Sequence, residues 1–185
     1  MTMEIEINIR KTSISDCSKI IDIEKTAFDG DEVAELTAQL LNDKSAKPFI
    51  SLLAFYKKEA IGHILFTKAS IKNTNLSPKA YILAPLAIIP EYQNQGVGGK
   101  LINEGFNRLK IWGVDIVFVL GHIEYYPKFG FIKNAEKLGF LAPYAIPDKV
   151  ADAWMVKSLI SQNINISKGQ VVCADAMNKP EHWRE

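Results

Sequence analysis

Cysteine is scarce in this sequence: among 185 residues there are two, Cys17 and Cys173. Two isolated cysteines build neither a disulfide framework nor a zinc site. We therefore expect each of them to be a small buried apolar residue, and we expect no bound metal.

An excess of charge of one sign is also missing. The 22 Lys and Arg residues nearly balance the 21 Asp and Glu residues, and the net charge is +1. No basic cluster is longer than a pair such as Lys57-Lys58. Because nucleic acid is recognised by clustered positive charge, the sequence predicts no nucleic-acid partner.

Long apolar runs are absent as well. No stretch reaches the roughly 18 apolar residues that a membrane-spanning helix needs. The first residues, Met1-Thr2-Met3-Glu4, lack the positive region and apolar stretch of a signal peptide. We therefore expect no membrane segment and take the cytoplasm as the default location.

What the sequence does contain is a regular succession of apolar patterns. Alternating or continuous apolar stretches predict strands, and apolar residues at helical spacing predict helices. The predicted strands are 5–10, 49–56, 61–67, 80–89, 116–120 and 153–159. The predicted helices are 13–28, 33–42 and 96–112, with a polar loop at 73–78 and a helical turn at 125–129. This order indicates a mixed α/β sheet with helices on its faces, formed by one domain over 1–160. The tail, 161–185, is expected to pack on that domain or extend it.

Two residues of these elements carry specific expectations. Pro85 lies inside an apolar strand, where it removes a ladder hydrogen bond, so pairing there should be broken or bulged. Trp112 follows Val97, Leu101 and Leu109 at helical spacing and is therefore expected on the same face of a helix that runs to Trp112.

The most informative segment joins the strand at 80–89 to the helix at 96–112. Gly96, Gly98 and Gly99 open that helix, although each glycine inside a helix costs roughly 1 kcal/mol relative to alanine. The first turn of a helix offers free N–H groups and a partial positive charge, which favour phosphate. Glycines let the backbone approach such a ligand closely. The alternative is that they only permit a tight turn against the sheet.

Two familiar phosphate motifs do not fit this segment. A Walker loop requires glycine where Asn94 stands, and Ser or Thr where Leu101 follows Lys100. The dinucleotide motif G-x-G-x-x-G fails because Leu101 occupies the position of its third glycine.

What fits is Q-x-x-G-x-G, read as Gln93-Asn94-Gln95-Gly96-Val97-Gly98. A second match, Tyr126-Pro127-Lys128-Phe129-Gly130-Phe131, has the form Y-x-x-x-G-F. Together they resemble the acyl-CoA segments of the GNAT superfamily of N-acetyltransferases. The stretch 83–131 resembles its YhbS-like subgroup of predicted acetyltransferases more closely. The resemblance covers roughly 5–160 and is strongest over 80–131.

The resemblance implies a fold, a ligand and a set of binding residues. The fold is a mostly antiparallel sheet, splayed at its centre, with helices on both faces. Acetyl-CoA would be the co-substrate, with its pantetheine arm bound along one strand edge and its pyrophosphate on the glycine-rich helix start. Lys100 could instead be an ordinary solvated lysine. The implied binding residues are Leu86, Ala87, Ile88, Gln93, Asn94, Gln95, Gly96, Val97, Gly98, Gly99 and Lys100.

The resemblance also assigns a catalytic residue. Tyr126 holds the family position of the general acid that protonates the leaving thiolate. The alternative is a packed aromatic side chain with a satisfied hydroxyl, and Tyr125 is the neighbour that could be confused with it. The general base is left open. The candidates are His63, His122, Glu124, Glu24 and water.

The expected function is transfer of an acetyl group to a primary amine of a small molecule or peptide by direct attack. A non-catalytic acyl-CoA-binding regulatory domain on the same fold is the main alternative, and a nucleotide-phosphate binder is another. The acceptor amine, the acyl-chain preference and formation of a homodimer are left open.

Overall fold

A mixed β-sheet forms the centre of the computed structural model, which describes residues 6–72, 76, 78–160 and 168–184. Within these residues the sheet has eight strands, and the main path runs β1-β2-β3-β4-β5-β7. Neighbours on this path are antiparallel except for β4 and β5, which are parallel. The strands are β1 (Ile7–Lys11), β2 (Ile50–Tyr56), β3 (Glu59–Ile71), β4 (Ala80–Ile88), β5 (Ile116–Leu120), β6 (Phe140–Leu141), β7 (Trp154–Ser158) and β8 (Gly169–Val172).

Helices cover both faces of this sheet. They are α1 (Cys17–Phe28), α2 (Glu32–Asn42) and α3 (Val97–Ile111). Side chains alternate between the faces of a strand, so successive residues of β3 identify them. Leu65 packs in one core cluster with Leu40 of α2, whereas Phe66 packs in another with Leu101 of α3. The expectation of a mostly antiparallel mixed sheet with helices on both faces is confirmed.

The start of α1 is fixed by the short 3-10 turn Ile14–Asp16 that precedes it. The Ser13 hydroxyl and backbone N–H both donate to Asp16 Oδ2, at 2.9 and 2.8 Å. Arg10 on β1 donates two further hydrogen bonds to the same carboxylate, at 2.7 and 2.8 Å. Asp16 therefore ties the first strand to the first helix.

One helix boundary differs by a residue, and one expectation of burial was wrong. Trp112 is 37% exposed, because α3 ends at Ile111 and Trp112 is the residue that caps it. Cys17, the first residue of α1, is exposed. Cys173 is buried as expected, and burial raises the pKa of its thiol to about 11.

The described part of the tail adds a strand to the sheet. β8 pairs with the far end of β3 through Ser70 with Val172 and Ile71 with Val171. Trp183 is buried and packs edge-on against Trp154, with ring centroids 5.5 Å apart. Its indole N–H donates to the Met177 carbonyl at 3.0 Å. The division into a domain and a tail stays a prediction.

Two further expectations concern the loop after β3 and membrane-spanning helices. The predicted loop at 73–78 falls largely outside the described residues, since 73–75 and 77 are not among them. None of the helices in the described ranges combines the length and the apolar character needed to cross a bilayer.

Candidate active site

The centre of the sheet opens where β4 and β5 separate. Their parallel pairing runs from Ala80 with Ile116 to Leu83 with Val119, and β4 continues beyond it to Ile88. The pairing of β4 with β3 shifts at the same place, since Phe66 faces Leu83 but Ile64 faces Leu86. The bulge expected at Pro85 is therefore present, and it bends β4 away from β5.

The second half of β4 presents backbone groups to this opening. Ile89 N–H donates to the Ile61 carbonyl at 3.1 Å, which makes that pair a hydrogen-bonded one. In an antiparallel ladder such pairs alternate with pairs whose backbone groups point away. By this alternation Ala87 bonds to β3, whereas the backbone groups of Leu86 and Ile88 point toward the gap beside β5.

The turn after β4 is closed by its own glutamines. Gln93 Nε2 donates to the Ile88 carbonyl at 2.9 Å, and Gln95 Nε2 donates to the Glu91 carbonyl at 2.7 Å. Asn94 and Gly96 both have positive φ, at 59° and 81°. The side chains of both glutamines thus shape the turn and are bonded to its own carbonyls.

The glycines of this segment serve different purposes. Gly96 needs its left-handed conformation, and nothing lies within 4 Å of the place where its Cβ would be. A Cβ on Gly98 would collide with the Tyr125 hydroxyl, and one on Gly99 would lie 3.1 Å from a ring carbon of Phe129. Gly96 therefore keeps open space at the helix start, whereas Gly98 and Gly99 make room for aromatic side chains.

The first turn of α3 offers amides to a ligand. Lys100 N–H donates to the Gly96 carbonyl at 3.1 Å, which begins the helical hydrogen-bond ladder. The amides of Val97, Gly98 and Gly99 precede it and have no partner within the helix. Because the helix adds a partial positive charge at this end, the position suits an anionic group.

Tyr125 and Tyr126 follow β5 and lie edge to face, with ring centroids 5.3 Å apart and planes at 82°. Tyr126 is buried, lies edge to face against Phe131 and packs on Gly121, where a Cβ would stand 2.5 Å from its ring. Tyr125 is half-buried and reaches Gly98. Both phenols therefore stand on the same side of the sheet as α3.

Two candidates for the general base meet each other inside the protein. His63 Nδ1 lies 2.6 Å from Glu24 Oε1, and His63 Nε2 lies 2.9 Å from the Ser51 hydroxyl. All three residues are 0% exposed. Burial raises the pKa of the Glu24 carboxyl, and the hydrogen bond from His63 opposes that rise. This trio joins α1, β2 and β3 directly behind Ala87, which pairs with His63.

The other two candidates lie on the surface after β5. His122 is exposed, and its carbonyl accepts from the N–H groups of Tyr125 and Tyr126 at 3.1 and 3.3 Å. Glu124 has an 87% exposed side chain and pairs with Lys133 at 3.2 Å. His122 thus orders the tyrosine segment through its backbone.

A groove of about 600 Å³ lies on the α1 side of the turn after β4. Its lining combines three carboxylates and one lysine with apolar side chains. The lining residues are Lys19, Asp22, Ile23, Thr26, Glu59, Ala60, Ile89, Glu91 and Tyr92. This local acidity is not visible in the balanced charge of the whole sequence. Among the described residues, no group of three or more His, Cys, Asp or Glu side chains is arranged to hold a metal ion.

The family follows from comparison with known proteins. The model of the acetyltransferase (GNAT) family matches residues 16–131. The chain is 49% identical to the uncharacterized N-acetyltransferase YjhQ of Escherichia coli K12 over 164 residues, which are 89% of this chain and 90% of that relative. The chain belongs to the GNAT acetyltransferase family. It is accordingly an acyl-CoA-dependent N-acyltransferase with acetyl-CoA as its co-substrate.

Solved structures agree with this family. The N-acetyltransferase YhbS of Escherichia coli, in complex with CoA, has a TM-score of 0.83 at 24% identity and covers 95% of this chain and 93% of its own. A GNAT acetyltransferase of Brucella melitensis, in complex with acetyl-CoA, has a TM-score of 0.72 at 25% identity. The match covers 94% of this chain and 99% of the Brucella chain. The resemblance to YhbS-like acetyltransferases is confirmed.

Sequence reasoning missed three contacts of the site. They are the Ser51 hydroxyl on His63, the Tyr125 hydroxyl on Gly98 and the Phe129 ring on Gly99. The Y-x-x-x-G-F segment held a signal for the last of these, because its aromatic residues must pack somewhere near the helix that precedes β5. The pairing of Ser51 with His63 depends on strand register, which the sequence does not show.

Proposed function

We propose that this protein transfers the acetyl group of acetyl-CoA to a primary amine of a small molecule or peptide by direct attack, with Tyr126 as general acid. The observation that supports this most is the gap between β4 and β5 beside the start of α3. It combines a strand edge with outward backbone groups, a helix start that suits an anion, and a phenol on one side of the sheet.

In this proposal the segment Leu86–Ile88 aligns the pantetheine arm through the outward backbone groups of Leu86 and the Ile88 N–H. Ala87 keeps its pairing with His63 of β3, and the Ile88 carbonyl keeps its hydrogen bond from Gln93. The amides from Gln95 to Lys100 hold the pyrophosphate, and Gln93 and Asn94 shape the turn that presents them. The ligand's charge is met by backbone dipoles. Lys100, which is half-buried on the first turn, adds positive charge to the same place.

The chemical step needs little else from the protein. The amine nitrogen attacks the thioester carbonyl carbon, the carbon–sulfur bond breaks, and the electron pair leaves on sulfur. A phenol with an ordinary pKa near 10 can protonate a thiolate whose thiol has a pKa near 8.5, against a gap of about 2 kcal/mol, when the two are held together. Tyr126 is suited to this because its ring is fixed between Gly121 and Phe131.

We assign the proton released by the amine to water. Glu24 and His63 are 0% exposed and already bonded to each other, so a substrate amine does not reach them. Glu124 is largely exposed and paired with Lys133. Neither surface candidate is held in a fixed position by side-chain packing, as a dedicated base would be.

The test is acetyl transfer to a panel of primary amines, followed by release of free thiol. Tyr126→Phe should lower kcat by about 100-fold, a typical loss for one general acid, and leave CoA affinity unchanged. Tyr144→Phe is the matched control, since that hydroxyl bonds to the Asn178 carbonyl in the loop region at the other end of the sheet.

Two outcomes would reject the proposal. If CoA binds but no amine is acetylated, the chain is a regulatory acyl-CoA-binding domain. If ATP raises the melting temperature and CoA does not, the helix start binds nucleotide phosphate instead. The cytoplasmic location and the homodimer stay predictions.

A further inference from the structure

The Tyr125 hydroxyl lies at the junction of the two elements proposed to bind coenzyme A. It contacts Gly98 in the first turn of α3, at the place where a Cβ would otherwise be. Leu86 Cδ2, from the second half of β4, lies 3.6 Å from that same Cβ position. The phenol therefore stands where a ligand would pass from the strand edge to the helix start.

The position of this phenol is fixed by its surroundings. Its ring packs on Phe129 with centroids 5.2 Å apart and on Tyr126 at 5.3 Å. The Tyr125 N–H donates to the His122 carbonyl at 3.1 Å, which sets the direction of the backbone. Because Gly98 has no side chain, the hydroxyl can reach the helix backbone. The phenol is thus placed before any ligand arrives.

The Tyr125 hydroxyl is able to donate a hydrogen bond to a ligand. Among the residues that the structure describes, no hydrogen bond of this hydroxyl is found, whereas the hydroxyls of Tyr81 and Tyr92 elsewhere in the protein each donate one. Burial raises the pKa of the Tyr125 phenol, so it stays protonated at neutral pH and can donate. A half-buried donor directed at an anion-binding helix start suits a phosphate oxygen.

We propose that Tyr125 is a coenzyme A-binding residue whose hydroxyl donates a hydrogen bond to the phosphate nearest the pantetheine arm. This rests on the proposed function and adds a residue to its binding site. The division of roles is then clear: Tyr125 binds the phosphate end of the ligand, and Tyr126 serves the sulfur end.

The test compares CoA with desulfo-CoA, which lacks the sulfur, by isothermal titration calorimetry. Tyr125→Phe removes one oxygen and keeps the ring contacts, so the fold should be intact. It should weaken binding of both ligands by about tenfold, the usual loss for a hydrogen bond to a charged group. Tyr126→Phe should leave desulfo-CoA affinity unchanged and lower kcat, and Tyr144→Phe should change neither.

A second variant tests the contact with the helix. Gly98→Ala places a methyl group where the Tyr125 hydroxyl lies, so it should also weaken CoA binding. In the Gly98→Ala background, Tyr125→Phe should reduce CoA affinity by a smaller factor than it does in the wild type, because the hydroxyl is already displaced.

The outcomes separate this inference from the proposed function. If Tyr125→Phe binds CoA within twofold of the wild type, the inference is wrong while the proposed function stands. If Tyr125→Phe weakens CoA but not desulfo-CoA and lowers kcat, Tyr125 serves the sulfur and the inference is again wrong. If the wild type itself binds no CoA, the proposed function fails.

Discussion

Glu24 and His63 meet through a 2.6 Å contact between Oε1 and Nδ1, in a place where both side chains are completely buried. Glu24 comes from the first helix and His63 from the central strand β3. The Ser51 hydroxyl occupies the other imidazole nitrogen at 2.9 Å. The contact therefore attaches α1 to the sheet behind the proposed pantetheine edge.

Removing Glu24 should destabilise the protein strongly. Glu24→Ala leaves His63 Nδ1 without a partner in the interior, and breaking a buried pair in this way costs about 3 kcal/mol. Ser51→Ala breaks one hydrogen bond and should cost about 1 kcal/mol. Urea denaturation measures both. If both variants lose the same free energy of unfolding, the contact between Glu24 and His63 does not stabilise the packing of α1 on the sheet.

Stability should fall on acidification because of Asp16. Its hydrogen bonds from Arg10 and Ser13 hold the pKa of its carboxyl well below the ordinary value of 3.8. The carboxylate thus contributes stability that is present above pH 3.8 and is lost as the pH falls through the folded pKa. Asp16→Asn should have a lower free energy of unfolding than the wild type at neutral pH. Its free energy of unfolding should also fall less than that of the wild type as the pH is lowered below about 4. Asp31→Asn, in the exposed pair with Lys25, is the control and should follow the wild type.

Gly96→Ala should weaken CoA binding. Its φ of 81° is a left-handed conformation that costs a residue with a Cβ roughly 1–2 kcal/mol. We expect relief of this strain to shift the turn that presents the first amides of α3. Gly96→Asn should be milder, because asparagine tolerates this conformation better. CoA titration of both variants is the measurement, and a stronger defect in Gly96→Asn would contradict the explanation.

Gly121→Ala should impair catalysis through Tyr126. The added methyl would lie 2.5 Å from the ring carbon Cε2 of Tyr126, so the ring must move. We expect kcat to fall while the affinity for CoA changes little, because the pyrophosphate turn is untouched. Steady-state kinetics on Gly121→Ala, Tyr126→Phe and the double variant tests this. If the two defects simply multiply in the double variant, Gly121 does not act through Tyr126.

Trp183→Ala should destabilise the protein by about 3–5 kcal/mol, the usual cost of truncating a buried tryptophan. Trp183 is 2% exposed and packs on Trp154 of β7. The midpoint of thermal unfolding would show the effect. A midpoint equal to that of the wild type would mean that the segment holding Trp183 is not part of the core.

Much of the fold could be predicted because its signals are local. The apolar periods located the main helices and strands within a few residues, and Pro85 marked the bulge where β4 leaves β5. The predicted helix runs one residue too far, because the helical spacing of apolar residues continues through Trp112 although the helix ends at Ile111, just before Gly113 takes a positive φ. Local pattern alone does not show which residue caps a helix.

The site was less predictable because its contacts join distant parts of the chain. The glycine-rich helix start was evident, but Gly98 and Gly99 are also required by Tyr125 and Phe129, which return to the helix after β5. The link from Ser51 through His63 to Glu24 depends on the register of β2 with β3 and on how α1 lies over them. A one-residue shift in register would point His63 to the other face.

The pairing of β3 with β8 has a kinetic consequence. Ser70 and Val172 are neighbours in the sheet, yet nearly all of the proposed catalytic machinery lies between them along the chain. Contacts between residues so far apart in sequence carry a large loop-closure cost and slow the search for the native state. We therefore expect the sheet to be completed at that edge late in folding, after the segment from β4 to β5 has already taken shape.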